Sequence, residues 1–169
     1  MQLVLGLGGN LGDVLSALLT ARSQLARWAR VLAASRVFRT APVGPVAQPP
    51  FLNAALLVEG GLSPRELLAR CLELEAAAGR DRAREVRWGP RPLDIDLLMA
   101  RDLVRRGPSL ALPHPRLHER AFALVPAAEV AAEWRHPLLG RTLSELAEDA
   151  IRRDPTALVE TVGTGRWRA

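Results

Sequence analysis

The chain has 169 residues and a mass of 18.4 kDa, enough for one domain with a sizeable core, and its 49% hydrophobic and 24% charged residues set it apart from disordered chains. All 23 basic residues are Arg, so a P-loop lysine, a protein-kinase lysine and a Schiff-base lysine are excluded; Tyr is absent, and one Cys permits neither an internal disulfide nor a CxxC zinc site. A net charge of +5 is too modest to argue for nucleic acid, no apolar run reaches the roughly 20 residues of a membrane span, and the N-terminus carries no basic n-region, so a cytoplasmic protein is expected.

Gln2 to Leu7 reads as a buried strand that ends in a turn at Gly8-Gly9-Asn10. Asp13 to Ala29 reads as a helix with Val14, Leu18, Ala21, Leu25 and Trp28 as its apolar stripe. Val31 to Phe38 is a second strand. Thr40 to Pro50 holds four prolines and a glycine, which makes it a loop of fixed shape. Phe51 to Val58 is a third strand. Ser63-Pro64-Arg65-Glu66 is a capping box with proline at N1, and Gly79 stands where a terminating glycine belongs. The helix is therefore about Pro64 to Ala78, with Leu68, Cys71, Leu72 and Ala78 on its apolar face and Glu75 beside it. Arg80 to Pro92 is an Arg-rich loop, and Asp94 to Met99 a fourth strand. Leu110 to Leu112 is extended, and a short helix starts at Pro115. Arg141 to Ile151 is a final helix with Thr142 as N-cap. The tail from about residue 154 has no assigned role, with one strand expected at Ala157 to Val162.

This order, β-α-β-β-α-β followed by C-terminal additions, is the ferredoxin-like α+β pattern. No repeat and no linker divides the chain, so residues 1–169 are read as one domain.

Gly6-Leu7-Gly8-Gly9-Asn10 follows a strand and precedes a helix, but it fails the dinucleotide spacing: position 11 is Leu. No acid lies between Asp13 and Glu59 to hold a ribose, so a tight turn is the better reading. Asp94-Ile95-Asp96 is the sharpest local signal. On a strand the two carboxylates share a face, with Ile95, Leu97 and Met99 turned to the core. Side by side they repel unless a cation lies between them, and hard oxygen ligands suit Mg²⁺ completed by substrate phosphates. A solvated acidic face is the bland alternative. From Arg80 to Arg91 five of twelve residues are Arg, with Trp88 among them. Arg supplies bidentate phosphate contacts and Trp a stacking face. Only Asp81 and Glu85 offer counter-charge inside this loop, so it is expected to be mobile until a polyanion binds. His114 and His118 have i, i+4 spacing but no third ligand, and Pro113 and Pro115 interrupt a helix; His114 reads as a hydrogen-bonding residue. His136 is expected at the surface and Cys71 in the core.

Taken together, Gly8-Gly9-Asn10-Leu11-Gly12, the run from Phe38 to Pro45, Gln48 with Phe51 to Ala55, Gly79 to Arg82, Arg87 to Asp96, Pro113 to Arg116 and His118 to Phe122 resemble 6-hydroxymethyl-7,8-dihydropterin pyrophosphokinases of folate biosynthesis. The resemblance spans roughly Leu3 to Phe122. It implies a ferredoxin-like α/β/α core and transfer of diphosphate from ATP to the pterin hydroxymethyl, with release of AMP. It implies that Asp94 and Asp96 hold two Mg²⁺ ions, and that Arg80, Arg82 and Arg91 grip the phosphates. Glu75, Trp88, His114 and Arg120 would complete the ATP site. Phe51 and Phe122 would sandwich the pterin, Asn53 would read its edge, and Thr40, Ala41, Val43 and Trp88 would supply the remaining contacts. The partners implied are these two small molecules, with no nucleic acid and no membrane, and a monomer is expected. Phe stands at 51 where Tyr is common in the family.

Two other classes fit less well. A ferredoxin-like RNA-binding module needs aromatics on its first and third strands, and Gln2 to Leu7 has none. A structural partner protein requires no Arg loop leading into an Asp pair.

Overall fold

The structure, a computed structural model, describes residues 1–84, 86, 88–162 and 167. Strand β1 (Gln2–Gly9) is central in a sheet ordered β5-β1-β4-β3-β6, where β3 is Val37–Thr40, β4 Phe51–Glu59, β5 Asp94–Ala100 and β6 Leu158–Val162. Every pairing on this path is antiparallel, and β2 (Arg30–Ala34) also pairs with β4. The core four, β5-β1-β4-β3, give the ferredoxin-like order that the sequence pattern implies.

Helices cover both faces. On one side α1 (Val14–Leu25) and α2 (Pro64–Ala77) close over Leu3, Leu5, Leu7, Leu56, Ile95 and Leu97. Asp13 caps α1 by accepting the Ser16 N–H at 3.0 Å, and the Ser63/Glu66 capping box starts α2. On the other side α3 (Ala121–Ala131) and α4 (Leu143–Arg153) cover Val4, Ala55, Leu98 and Met99. The result is three layers, α/β/α, with two hydrophobic clusters separated by the sheet.

Several expectations need correction. The segment read as one strand from Val31 to Phe38 is two, divided at the fully buried Ser35. Its N–H still donates to the Ala55 carbonyl, but the Ser35 hydroxyl accepts the Ala55 N–H and its carbonyl accepts the indole N–H of Trp167, so the carbonyl leaves the ladder. Helix α1 stops at Leu25, short of Ala29. On α2, Leu67 rather than Leu72 faces the core; Leu72 is 37% exposed. Met99 packs with the second cluster because the β1–β5 register shifts between Val4 and Leu5. Helix α3 escapes periodicity because Ala121–Ala131 is apolar nearly all round and carries Pro126; a helix buried between sheet and α4 tolerates both. The segment at Pro115 yields only a 3₁₀ turn, Leu117–Glu119. His136 is buried, not at the surface: it is 3% exposed and its ring meets His118 edge-on at 6.3 Å.

The tail gains a role. Strand β6 covers the free edge of β3, and Trp167 is fully buried in the first cluster. Among the described residues no helix is long and apolar enough to cross a membrane.

Candidate active site

Five chain segments converge at one end of the sheet: the C-terminal ends of β1 and β3, the N-terminal ends of β4 and β5, and the start of α3. Gly8 pairs with Asn53 of β4 on one side and Asp94 of β5 on the other, and Gly6 pairs with Asp96. Gly8 and Gly9 thus lie within β1, not in a turn beyond it. Their lack of side chains is used. A Cβ on Gly8 would fall 2.2 Å from Asn53 Oδ1, and one on Gly9 2.4 Å from the Pro92 carbonyl oxygen. The glycines leave a bare floor between an amide and a carboxylate, where a flat ligand can approach the backbone.

Walls rise around this floor. Gly8, Thr40, Ala41, Val43, Phe51, Asn53, Trp88, Arg91, Asp94, Arg120 and Phe122 line one cleft. Asp96 lines the adjoining hollow with Gly6, Gly8 and Phe122. Asn53 is positioned by donating to the Thr40 hydroxyl at 2.8 Å, across the β3–β4 pairing. Three aromatics each carry an Arg guanidinium: Arg91 lies 5.1 Å from the Phe51 centroid, Arg116 5.0 Å from Trp88 and Arg120 5.7 Å from Phe122.

The charges form one connected network. Glu75 projects from α2, 1% exposed, and accepts the Ile95 N–H at 2.8 Å, closing a backbone donor on edge strand β5. It also pairs with Arg80 at 3.0 Å and Arg82 at 2.5 Å. Arg80 reaches on to the Asp94 carboxylate, which Arg91 joins at 3.0 Å. Arg120 stands 3.6 Å from Asp96. The counter-charge expected from a bound polyanion is supplied in part from outside the loop: Glu75 and Asp94 pair with Arg80, Arg82 and Arg91. Glu85 and Arg87 lie outside the described residues.

Burial and charge divide the acids. Burial opposes ionisation of Asp94, but Arg91 and Arg80 outweigh it and hold its pKa below the usual value. Asp96 is pushed up to about 6 by burial and by Asp94, against the pull of Arg120. Burial also raises Glu75, opposed by Arg82, the Ile95 N–H and Arg80. Burial pushes the Cys71 thiol up to about 12, so it is an unreactive core residue.

His114 does not line the cleft. Its Nδ1 accepts the Arg116 N–H at 3.2 Å, and burial, aided by Arg120, pushes its pKa down to about 4. It is a neutral hydrogen-bonding residue, as the prolyl surroundings indicated.

Two unmet demands remain in this geometry. Asp94 and Asp96 share a face as the i, i+2 spacing requires, and the arginines offset their mutual repulsion only in part: Asp96 stays raised to about 6 beside Arg120, which leaves room for a further cation. Arg91 Nε is buried with no hydrogen-bond partner among the described residues, a donor suited to an anion. An acid pair and a basic rim around an apolar slot suit a flat heterocycle held next to a metal-bound polyphosphate.

Comparison with known proteins decides the family. The sequence profile of 7,8-dihydro-6-hydroxymethylpterin-pyrophosphokinase (HPPK) matches residues 4–132. The chain belongs to this family. Relatives named 2-amino-4-hydroxy-6-hydroxymethyldihydropteridine pyrophosphokinase include one from Synechocystis, 41% identical over 147 residues, covering 86% of this chain and 74% of the relative. One from Methylorubrum extorquens is 47% identical over 131 residues, covering 76% and 82%. One from Aquifex aeolicus is 36% identical over 141 residues, covering 83% and 87%. Among solved structures, wild-type HPPK-DHPS of Plasmodium falciparum matches with TM-scores of 0.63 and 0.68 at 15% and 14% identity. Those matches cover 90% of this chain but only 44% and 45% of theirs, and they speak for the HPPK fold alone.

Three further residues bear on this cleft beyond those the sequence points to: Gly8 lines it, and Asn10 and Gln48 bond the backbones of its lining residues Arg91 and Trp88. The alternation Gly6-Leu7-Gly8 inside a strand was the available signal for Gly8. For the two amides, the signal was their place in the matched blocks.

Proposed function

We propose that this chain transfers the diphosphoryl group of ATP to the hydroxymethyl of 6-hydroxymethyl-7,8-dihydropterin and releases AMP, the step its family performs in folate biosynthesis. The observation that carries the reading is the Asp94/Asp96 face, set on a glycine-cleared floor between an aromatic slot and a rim of arginines.

In this reading the pterin lies flat between Phe51 and Phe122, with Asn53 reading its edge through one donor and one acceptor. The backbone around Thr40, Ala41 and Val43 and the Trp88 side chain bound the rest of the slot. Arg80, Arg82, Arg91 and Arg120 bind the triphosphate, and Glu75 orients Arg80 and Arg82 from below. His114 fixes the Arg116 backbone behind the nucleotide side. The reaction forms a bond from the hydroxymethyl oxygen to the β-phosphorus, breaks the bridge to the α-phosphorus so that AMP leaves with the bridging oxygen, and releases the hydroxymethyl proton. The residues then act by holding the two reactants in line and by neutralising charge on the phosphoryl oxygens.

Asp94 and Asp96 fit Mg²⁺, since both are hard oxygen donors on one face and burial, with the charge of Asp94, raises the pKa of Asp96. Two such ions would offset the triphosphate charge and draw its oxygens toward the acid pair. Arg91 Nε then finds an acceptor in a phosphate oxygen. The chain works as one monomeric domain in this account.

The test is product analysis after incubation with Mg-ATP and the dihydropterin. AMP is the expected nucleotide; stoichiometric ADP without AMP overturns the reading.

A further inference from the structure

We propose that Asn10 and Gln48 are positioning residues that tie the pose of Trp88, over the pterin slot, to the backbone of Arg91 on the phosphate side. This rests on the functional reading above and adds residues that touch neither substrate in it.

Asn10 sits just past β1 and is 6% exposed. Its Oδ1 accepts the Arg91 N–H at 2.9 Å, and its own N–H donates to the Arg91 carbonyl at 2.9 Å. Its Nδ2 donates to Gln48 Oε1 at 3.0 Å and to the Pro49 carbonyl at 2.9 Å. Gln48 passes the connection on: its Nε2 donates to the Trp88 carbonyl at 2.6 Å. Two side-chain amides in series thus join three segments: the end of β1, the proline-rich loop and the Arg-rich loop. Each amide orientation is dictated, because a donor meets the oxygen of Asn10 and acceptors meet both nitrogens.

Trp88 needs holding. Its φ is +67°, in the left-handed region that strains a non-glycine residue. Gly44 lies beneath it, so close that a Cβ there would sit 3.1 Å from Trp88 Cβ, and Arg116 covers its ring. The Gln48 hydrogen bond fixes the backbone while Gly44 and Arg116 fix the ring. Arg91, at the other end of the relay, pairs with Asp94 and covers Phe51. A shift of the Arg91 backbone is therefore transmitted to Trp88 through three hydrogen bonds and two side-chain amides, and the reverse holds equally.

Gln48→Glu is the sharper variant: it keeps an acceptor for Asn10 but sets a carboxylate oxygen against the Trp88 carbonyl. Gln48→Ala removes both bonds without adding repulsion, and guards against a defect peculiar to the charge. The first readout is the emission attributable to Trp88, taken as the difference from the matching Trp88→Phe protein. It is expected to shift in both variants while the melting midpoint stays within a few degrees; an unchanged Trp88 emission overturns the relay, whatever the enzyme does. The second is steady-state AMP formation. Gln48→Glu is expected to lower kcat/KM for the pterin about tenfold, the scale of one lost hydrogen bond, with KM for ATP within about twofold. On a Trp88→Ala background the same change should add less than about twofold, because the ring it positions is gone. Full additivity, or an equal loss for both substrates, overturns the proposal. A wild-type protein that forms no AMP refutes the functional reading instead and leaves the emission test standing.

Discussion

Glu75, on α2, accepts the backbone N–H of Ile95, the residue between the two aspartates, at 2.8 Å. An acid buried under one face of the sheet therefore holds the strand that presents Asp94 and Asp96 on the other. Its second oxygen binds Arg82 and its first also meets Arg80, so one carboxylate fixes both the strand that carries the acid pair and two arginines of the following loop.

Glu75→Gln keeps an oxygen for the Ile95 N–H but removes the charge that Arg80 and Arg82 share. Breaking a buried ion pair on one side typically costs 3–5 kcal/mol, and Arg82's exposure and the Asp94 contact of Arg80 soften that here. Chemical denaturation should show a loss of about 2–3 kcal/mol, and turnover should fall at saturating substrates. A variant with wild-type stability and rate would remove Glu75 from the account.

Gly8→Ala tests the floor. Its Cβ would meet Asn53 Oδ1 at 2.2 Å, so the amide must turn away and give up its 2.8 Å bond to Thr40. The KM for pterin should rise at least about tenfold, as expected when a buried amide loses its partners, while ATP affinity changes little. Isothermal titration with each substrate separates the two; equal weakening of both would contradict a pterin-side role for Gly8.

His114 makes stability depend on pH. Its folded pKa, about 4, lies below the ordinary value of 6.5, so below 6.5 the unfolded chain binds more protons. Its contribution is complete above about pH 6.5 and is lost as pH falls through 4. Replacing His114 by Gln should flatten the stability profile between those limits, read from melting temperatures. In NMR the wild-type ring should show no titration between pH 5.5 and 8; a midpoint near 6.5 would refute its burial beside Arg120.

Asp94→Asn and Asp96→Asn should each lower turnover by at least about 10²-fold, the scale of removing one principal electrostatic contribution. The folds should survive, since both side chains are partly exposed. Asp94→Asn should destabilise more, because it leaves Arg80 and Arg91 short of a counter-charge that Asp96 supplies only to Arg120. Near-normal turnover of either variant at saturating Mg²⁺ would contradict the paired-carboxylate reading.

Much of this was legible in the residues themselves. The strand alternation at Asp94-Ile95-Asp96, the capping boxes at Ser63 and Thr142, and the stripe Val14, Leu18, Ala21, Leu25 depend on local periodicity and capping, which a sequence displays directly. What stayed hidden depends on contacts distant in sequence. Glu75 and Asp94 neutralise the loop arginines only after α2 and β5 are packed together. Trp167 and Ser35 are 132 residues apart, and nothing local marks their hydrogen bond. Helix α3 shows no amphipathic period, since Ala121–Ala131 is apolar almost throughout, and only its packing between the sheet and α4 reveals it. Gly8 reads as a turn residue until its two cross-strand neighbours are known.

The most direct test of the central claim follows the label of ATP carrying ³²P at the β position, incubated with Mg²⁺ and 6-hydroxymethyl-7,8-dihydropterin. Attack at the β-phosphorus sends the label into the pterin diphosphate and leaves unlabelled AMP. That result is predicted for the wild-type chain, with both products lost in parallel in Asp96→Asn. Label retained in ADP, with a pterin monophosphate as the other product, would contradict the account.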